Sequence, residues 1–232
     1  MKAEVTCWVV LAAAGKGTRL GADVPKTYVP IHGRPLISYS LDCFLSYAPC
    51  VGIVVVIAED DQHWSLLPYT DMDNVYCVRG GNERYDSVLR GLQFLHDKVN
   101  ANSWVMVHDG ARPCITHASL DRLLQALQKD AVGGLLGVPV TDTVKRIDAN
   151  HNVESTLDRD DLYLAQTPQL FRYGVLSNAM AAALATNINI TDSSMAVAQA
   201  GYPCTVVAGD VSNLKVTTSA DLALATYYLK ER

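Results

Sequence analysis

Consecutive apolar residues recur along the chain at 8–13, 53–57, 104–107, 134–138 and 204–207. Such runs are continuous and do not alternate with polar residues, which suits parallel strands covered on both faces. Helical patterning fills the intervals at 35–47, 83–97, 117–129, 173–185, 191–200 and 218–230. Leu120, Leu123, Leu124 and Leu127 stand at helical spacing in the third of these. Ser219 and Asp221 stand near the start of the last, where a carboxylate meets the positive end of the helix dipole. The alternation predicts a doubly wound α/β fold with a mostly parallel sheet. One stretch breaks it. Between 141 and 162, polar and apolar residues alternate around a polar Asp148-Ala149-Asn150-His151-Asn152 turn, as in a hairpin. A two-stranded ribbon is marginal alone in water, so this one is expected to pack on a second subunit. With no repeat, low-complexity segment or linker, the expectation is one domain over 1–232, with 141–160 as a dimerisation arm.

Composition narrows the partners. The chain has 232 residues, 49% of them hydrophobic, enough for a sizeable core. A formal charge of −5 argues against general binding to nucleic acid or an anionic membrane, so clustered cations point to a small anion. Cys7, Cys43, Cys50, Cys77, Cys114 and Cys204 lack Cys-x-x-Cys or Cys/His ligand spacing. That scatter predicts reduced, mostly buried thiols in a cytoplasmic protein and argues against structural zinc. A strand starting within the first residues is expected to leave no room for a targeting peptide, and no apolar run approaches a membrane span in length.

The candidate chemistry begins after the first run, at Ala14-Gly15-Lys16-Gly17-Thr18-Arg19-Leu20, with Pro25-Lys26 following. Gly15, Gly17 and the small Ala13 and Ala14 let backbone N–H groups approach a polyanion, while Lys16, Arg19 and Lys26 supply countercharge. The alternative is a plain strand-to-helix turn. Neither the dinucleotide fingerprint, which needs a third glycine where Leu20 stands, nor the P-loop spacing is present.

A second segment, His108-Asp109-Gly110-Ala111-Arg112-Pro113, directly follows a strand, so Asp109 and Arg112 should face the crevice at the carboxyl ends of the sheet. A carboxylate in a phosphate crevice suggests Mg²⁺; the alternative is that Asp109 caps a turn. His108 reads as a positioning residue more than as a base. Gly80-Gly81-Asn82 opens a helix with Asn82 at its N-cap, where Asn82, Arg84 and Ser87 could meet a planar base or simply start a helix. Lys215, near a late strand end, is either a ligand or a solvated lysine.

Together these motifs resemble the nucleotide-diphospho-sugar-type nucleotidyltransferases, and within them the 2-C-methyl-D-erythritol 4-phosphate cytidylyltransferase family. The resemblance also covers Asp142-Thr-Val-Lys-Arg146, Leu157-Asp-Arg159, Gln166-Thr-Pro-Gln169, Ile190-Thr-Asp192 and Asn213-Leu-Lys-Val-Thr217. It implies that Ala13, Ala14, Gly15, Arg19 and Lys26 hold the CTP phosphates, and that Gly81, Asn82, Arg84 and Ser87 surround cytosine and ribose. Asp109 and Gly110 would lie on the metal and ribose side. Arg112, Thr167, Thr191 and Lys215 would meet a sugar-alcohol phosphate, joined by Thr143 and Arg159 from the partner's arm in a homodimer. Arg19, Lys26 and Lys215 would be the catalytic cations and Mg²⁺ the cofactor. Two positions depart from the family pattern: Asn82 where Asp is frequent, and Ser193-Ser194 where an acidic residue and Ala usually follow Thr191-Asp192.

The implied reaction is attack of the sugar phosphate on the α-phosphorus of CTP, releasing pyrophosphate. Its rivals are a ribitol-5-phosphate cytidylyltransferase, which shares the opening loop and Gln166-Thr-Pro, and a silent nucleotide-binding module. A dinucleotide-dependent oxidoreductase is disfavoured by Leu20.

Overall fold

The computed structural model describes residues 5–15, 17, 21, 24–81, 83–185 and 190–230. In chain order these form β1 (Cys7–Ala12), β2 (Pro30–Ile31), β3 (Arg34–Pro35), α1 (Leu36–Leu45), β4 (Cys50–Ile57), β5 (Val75–Arg79), α2 (Arg84–Phe94), β6 (Trp104–Asp109), α3 (His117–Leu127), β7 (Gly133–Pro139), β8 (Val144–Ile147), β9 (Val153–Leu157), β10 (Tyr163–Arg172), α4 (Tyr173–Ala185), α5 (Ser193–Gln199), β11 (Thr205–Ala208) and α6 (Ser219–Lys230). Among the described residues, seven strands make one sheet in the order β11-β7-β10-β6-β1-β4-β5. All neighbours in it are parallel except β10, which runs antiparallel to both β6 and β7.

The continuous apolar runs are explained by burial on both faces. Successive side chains of a strand point to opposite sides. Val9 and Leu11 of β1 pack with Ile37, Leu41 and Phe44 of α1 and with Leu120, Leu123 and Leu127 of α3. Val10, between them, packs on the other face with Val88 and Leu92 of α2 and Leu176 and Met180 of α4. Helix α6 closes a smaller cluster with Ile31, Leu36, Cys114 and Val216. Caps fix two helix starts. The Thr116 hydroxyl accepts from the Ser119 N–H at 3.2 Å at the start of α3, and the Asp192 carboxylate accepts from the Met195 N–H at 2.8 Å at the start of α5.

The fold corrects several expectations. The helix over 83–97 opens with Glu83 at its N-cap, not Asn82, and the Asp86 carboxylate accepts the Glu83 N–H at 3.2 Å. The run at 204–207 becomes β11, an exposed edge strand and not a buried one. Strands β5 and β10 join the sheet without having been anticipated. Of the cysteines, all free, only Cys7 and Cys114 are buried; Cys43, Cys50 and Cys204 are half-buried and Cys77 is exposed. No helix among the described residues is long and apolar enough to cross a membrane.

The hairpin is present as β8 and β9, paired antiparallel and outside the main sheet. Its turn is held by Asp148, whose Oδ1 accepts the N–H groups of Asn150 and Asn152 at 2.8 Å each. Ile147 and Val153 on it are 49% and 62% exposed.

The approach of α2 to the sheet rests on Gly91. A Cβ there would lie 2.6 Å from Val10 Cγ1 and 3.2 Å from Val56 Cγ2, both fully buried. Alanine is favoured over glycine inside a helix by about 1 kcal/mol, whereas forcing a methyl into a packed core costs about 1–3 kcal/mol. Gly91→Ala is therefore expected to destabilise by about 1 kcal/mol, read as a lower denaturant midpoint at unchanged slope. A raised midpoint would show that the close approach is not needed.

Candidate functional site

Three loops leave the sheet at one level. The strand register sets Ala12 at the end of β1 beside Asp109 at the end of β6 and beside Val56 of β4. Backbone bonds then turn the chain: Gly110 N–H donates to Ala12 O at 2.9 Å, Ala13 N–H to Val56 O at 2.8 Å and Gly80 N–H to Ile57 O at 2.7 Å. The cleft so formed, of about 140 Å³, is lined by Ala12 to Gly15, Lys26, Gly81, Arg84, Ser87, Asp109 and Lys215. It sits at the carboxyl ends of parallel strands, where ligands of open α/β sheets bind. Gly17 folds the opening loop onto the stem of Lys26. Its φ is 62°, and a Cβ there would stand 2.4 Å from Lys26 Cβ.

At the floor of the cleft Asp109 gathers the cations. Its Oδ1 accepts from Arg84 Nε at 2.7 Å, and its Oδ2 lies 2.9 Å from Lys215 Nζ and 3.8 Å from Arg112 Nε. Burial by itself would raise this carboxyl, but Arg84 and then Lys215 hold it well below the usual carboxylate range. Three cations on one carboxylate leave an excess of positive charge. Arg84 Nη2 and Arg112 Nε are moreover buried without a hydrogen-bond partner among the described residues. A site of this kind calls for an anion, because an unpaired buried donor is costly.

The residues expected at the nucleotide, Ala13, Ala14, Gly15, Lys26, Gly81, Arg84, Ser87 and Asp109, converge on this cleft. Gly110 adjoins it through its bond to Ala12. Arg84, expected at the base, is turned instead to Asp109. Arg19, Lys16 and Asn82 lie outside the described residues. Ser87 is buried, and its hydroxyl donates to Glu83 O at 3.2 Å.

On the expected sugar-phosphate side, Lys215 reaches the cleft directly. Arg112 is anchored behind it, Nη1 donating to Asn213 O at 2.7 Å and Nη2 to Ala165 O at 3.3 Å. Thr167 is buried in an irregular stretch of β10 between Ala165 and Gln169, where the pairing with β7 shifts and the Thr167–Pro168 peptide is cis. Its hydroxyl accepts the Asp109 N–H at 3.0 Å. Thr191 lies exposed just before α5. The segment it belongs to is tied to β10 by Gln169, whose Nε2 donates to Asp192 Oδ2 at 2.8 Å and whose Oε1 accepts the Ser194 N–H at 3.0 Å. Thr143 and Arg159 are exposed at the base of the hairpin, and no contact joins them to the cleft of their own chain among the described residues.

Two supports went unassigned by sequence reasoning. Gln169 and Asn213 are each 1% exposed, and Asn213 Nδ2 donates to Thr167 O at 2.8 Å. For Gln169 the signal was a polar residue beside the apolar Leu170-Phe171, buried only when partnered; Asn213, among Asp210, Ser212 and Lys215, carries no such local signal. His108 is fully buried against Phe44, with ring centroids 5.2 Å apart, and burial pushes its pKa down to about 4. It is therefore neutral and no cation of the site.

Among the described residues no group of three His, Cys, Asp or Glu side chains is gathered to hold a metal. Asp109 is the buried carboxylate of the cleft. Such a donor set fits Mg²⁺, which is typically bound through one or two carboxylates plus substrate phosphates and not in an all-protein cage.

The chain matches a family model over residues 7–231, that of 2-C-methyl-D-erythritol 4-phosphate cytidylyltransferase. Proteins of that name from Pseudomonas aeruginosa and Pseudomonas putida are 48% and 45% identical to it over 216 residues, covering 93% of this chain and 92% of theirs. A crystal structure of the enzyme of that name from Francisella tularensis superposes with a TM-score of 0.84 at 32% identity, covering 96% of this chain and 99% of that one. A 4-diphosphocytidyl-2C-methyl-D-erythritol synthase from Anaerococcus prevotii does so with a TM-score of 0.82 at 29% identity, covering 97% and 96%. With its cationic cleft at the carboxyl ends of a mostly parallel sheet, the chain belongs to the 2-C-methyl-D-erythritol 4-phosphate cytidylyltransferase family.

Proposed function

We propose that the cleft joins CTP to 2-C-methyl-D-erythritol 4-phosphate, giving 4-diphosphocytidyl-2-C-methyl-D-erythritol and pyrophosphate for isoprenoid biosynthesis. The observation that carries this reading is the convergence of Arg84, Lys215 and Arg112 on Asp109 beside the small-residue loop. A phosphomonoester has its second pKa near ~6, so at neutral pH the nucleophile is already largely dianionic and needs no general base. What remains is to bring two polyanions together in line and to stabilise the charge developing on the α-phosphoryl oxygens and the leaving group. Ala13, Ala14, Gly15, Arg19 and Lys26 serve the triphosphate in this reading. Gly81, Asn82 and Ser87 serve cytidine. Lys215 and Arg112 supply charge toward the incoming phosphate, with Thr191 on the same side.

Enzymes of this class generally use a divalent cation. Asp109 is the residue that would hold Mg²⁺ together with the triphosphate, and the ion would offset phosphate charge as the α-phosphorus is attacked. We infer further that 1–232 is one domain that works as a homodimer through 141–160, with Thr143 and Arg159 serving the partner's site. The exposed Ile147 and Val153 on an otherwise isolated ribbon support this, since such a ribbon gains stability only by packing. Six free cysteines favour a cytoplasmic setting. A pyrophosphate-release assay with CTP, comparing methylerythritol phosphate with ribitol 5-phosphate, tests the reading. Release with the first alone is expected, and CTP binding without release would make the chain a silent module.

Lys26→Met is expected to lower kcat by ~10²-fold or more while weakening CTP binding far less, as when one preorganised donor is removed from an oxyanion site. Equal losses in binding and turnover would overturn that role. Asp109→Asn should raise the Mg²⁺ concentration for half-maximal rate, because one anionic oxygen partner is lost; an unchanged requirement would leave the triphosphate alone to hold the ion. For the shared site, Lys26→Met and Arg159→Ala subunits, each nearly inactive alone, should recover turnover on mixing. A mixed dimer then contains one site with both defects and one with neither. Demonstrated exchange without recovery would place Arg159 in its own chain's site.

A further inference from the structure

Behind the cleft the hydrogen-bond directions are determined by what each atom can donate. His108 Nε2 lies 3.2 Å from Arg112 O, a carbonyl that also accepts from Ser40 Oγ at 3.1 Å. A carbonyl has no proton to give, so Nε2 must carry the ring hydrogen. The opposite tautomer would set two lone pairs against each other. The Thr167 hydroxyl is buried and, among the described residues, has no acceptor for its hydrogen other than Nδ1, so Nδ1 is the bare nitrogen. Thr167 Oγ1 lies 3.0 Å from it and must supply the hydrogen. The same oxygen accepts the Asp109 N–H at 3.0 Å. The hydroxyl hydrogen of Thr167 therefore points into the protein and away from the cleft.

We propose that His108, fixed with its hydrogen on Nε2, is a positioning residue that turns the Thr167 hydroxyl inward, so that Thr167 clamps the Asp109 main chain and does not donate to the sugar phosphate. The consequence reaches both the nucleotide side and the sugar-phosphate side of the cleft. Asp109 N–H is held by the clamp, and the carboxylate of the same residue orients Arg84 and Lys215. The other end of His108 holds the Arg112 carbonyl, so one buried ring spans the turn carrying both charged residues. The Thr167 carbonyl is held in turn by Asn213 Nδ2 at 2.8 Å, which leaves the clamp little freedom to rotate. Sequence places a histidine before Asp109, but only the partner on each ring nitrogen distinguishes a base from a support.

This inference deepens the CTP-binding reading and rests on it, and the test separates the two. Ring ¹⁵N spectra of histidine-labelled protein at neutral pH, without ligand and with CTP and Mg²⁺, are expected to show His108 protonated at Nε2 and bare at Nδ1 in both states. A hydrogen on Nδ1 in either state overturns the proposal. Thr167→Val, which keeps the shape and removes the hydroxyl, is expected to weaken CTP binding measured by calorimetry by about tenfold, the scale of one neutral hydrogen bond. The Michaelis constant for the sugar phosphate should rise alongside, because Lys215 is held by the same carboxylate, and Thr167→Ser should restore both. A raised Michaelis constant for the sugar phosphate at unchanged CTP affinity would make Thr167 a substrate donor and overturn the clamp. Should Thr167→Val fail to fold, the ring spectrum of the unaltered protein still decides. Unaltered protein that does not bind CTP would undo the functional reading and leave the tautomer result intact.

Discussion

The arrangement of the cleft depends on a single buried carboxylate. Asp109 could not sit charged inside the protein alone, because desolvation of a carboxylate costs several kcal/mol. It is charged there because Arg84, Lys215 and Arg112 surround it. The dependence is mutual. Without Asp109 the three cations would repel one another in a confined space, and Arg84 and Lys215 would lose the partner that turns them inward when the site is empty. The carboxylate thus keeps an anion site assembled in advance of its anion, so that substrate meets fixed charges instead of having to organise them.

That carboxylate is placed by the sheet. Parallel register between β1 and β6 sets Asp109 beside Ala12, where the small-residue loop begins. The irregular stretch of β10 then carries Thr167 up to the Asp109 N–H, and regular antiparallel pairing resumes from Gln169. Irregularities of this sort commonly mark active-site rims, where a side chain has to be aimed away from the regular pleat. Arg84 enters from the first turn of α2, whose seating on the sheet is set by Gly91.

How much of this the sequence carried depends on which force decides each element. The central strands and the α3 stripe of Leu120, Leu123, Leu124 and Leu127 were legible because burial imposes a periodicity. The bounds of α4 were read to the residue. Strand β10 was not read as a strand, since Gln166-Thr-Pro-Gln169 interrupts its apolar run and proline argues against a central strand. Its polar residues are tolerated because Gln166, Thr167 and Gln169 are each partnered by residues more than twenty positions away in the chain. The same limit hid the role of Arg84. Its position at a helix start was visible, but its turn toward Asp109 depends on a strand end 25 residues later. Local pattern announces which residues carry charge, and only tertiary pairing shows where that charge is spent.

The antiparallel insertion of β10 also governs when the site can come into being. Strands β6 and β7 meet only through β10, and Asp109 meets Lys215 only after the last third of the chain has been added. During synthesis, a chain that has not yet reached residue 163 presents β6 as a bare hydrophobic edge, the kind of surface that invites pairing with another chain. Long-range closure of this type is slow, because the entropy of bringing distant segments together is lost before their contacts form. The binding cleft is consequently among the last parts to mature, and a chain interrupted near its C-terminus would lose its chemistry while keeping much of its sheet.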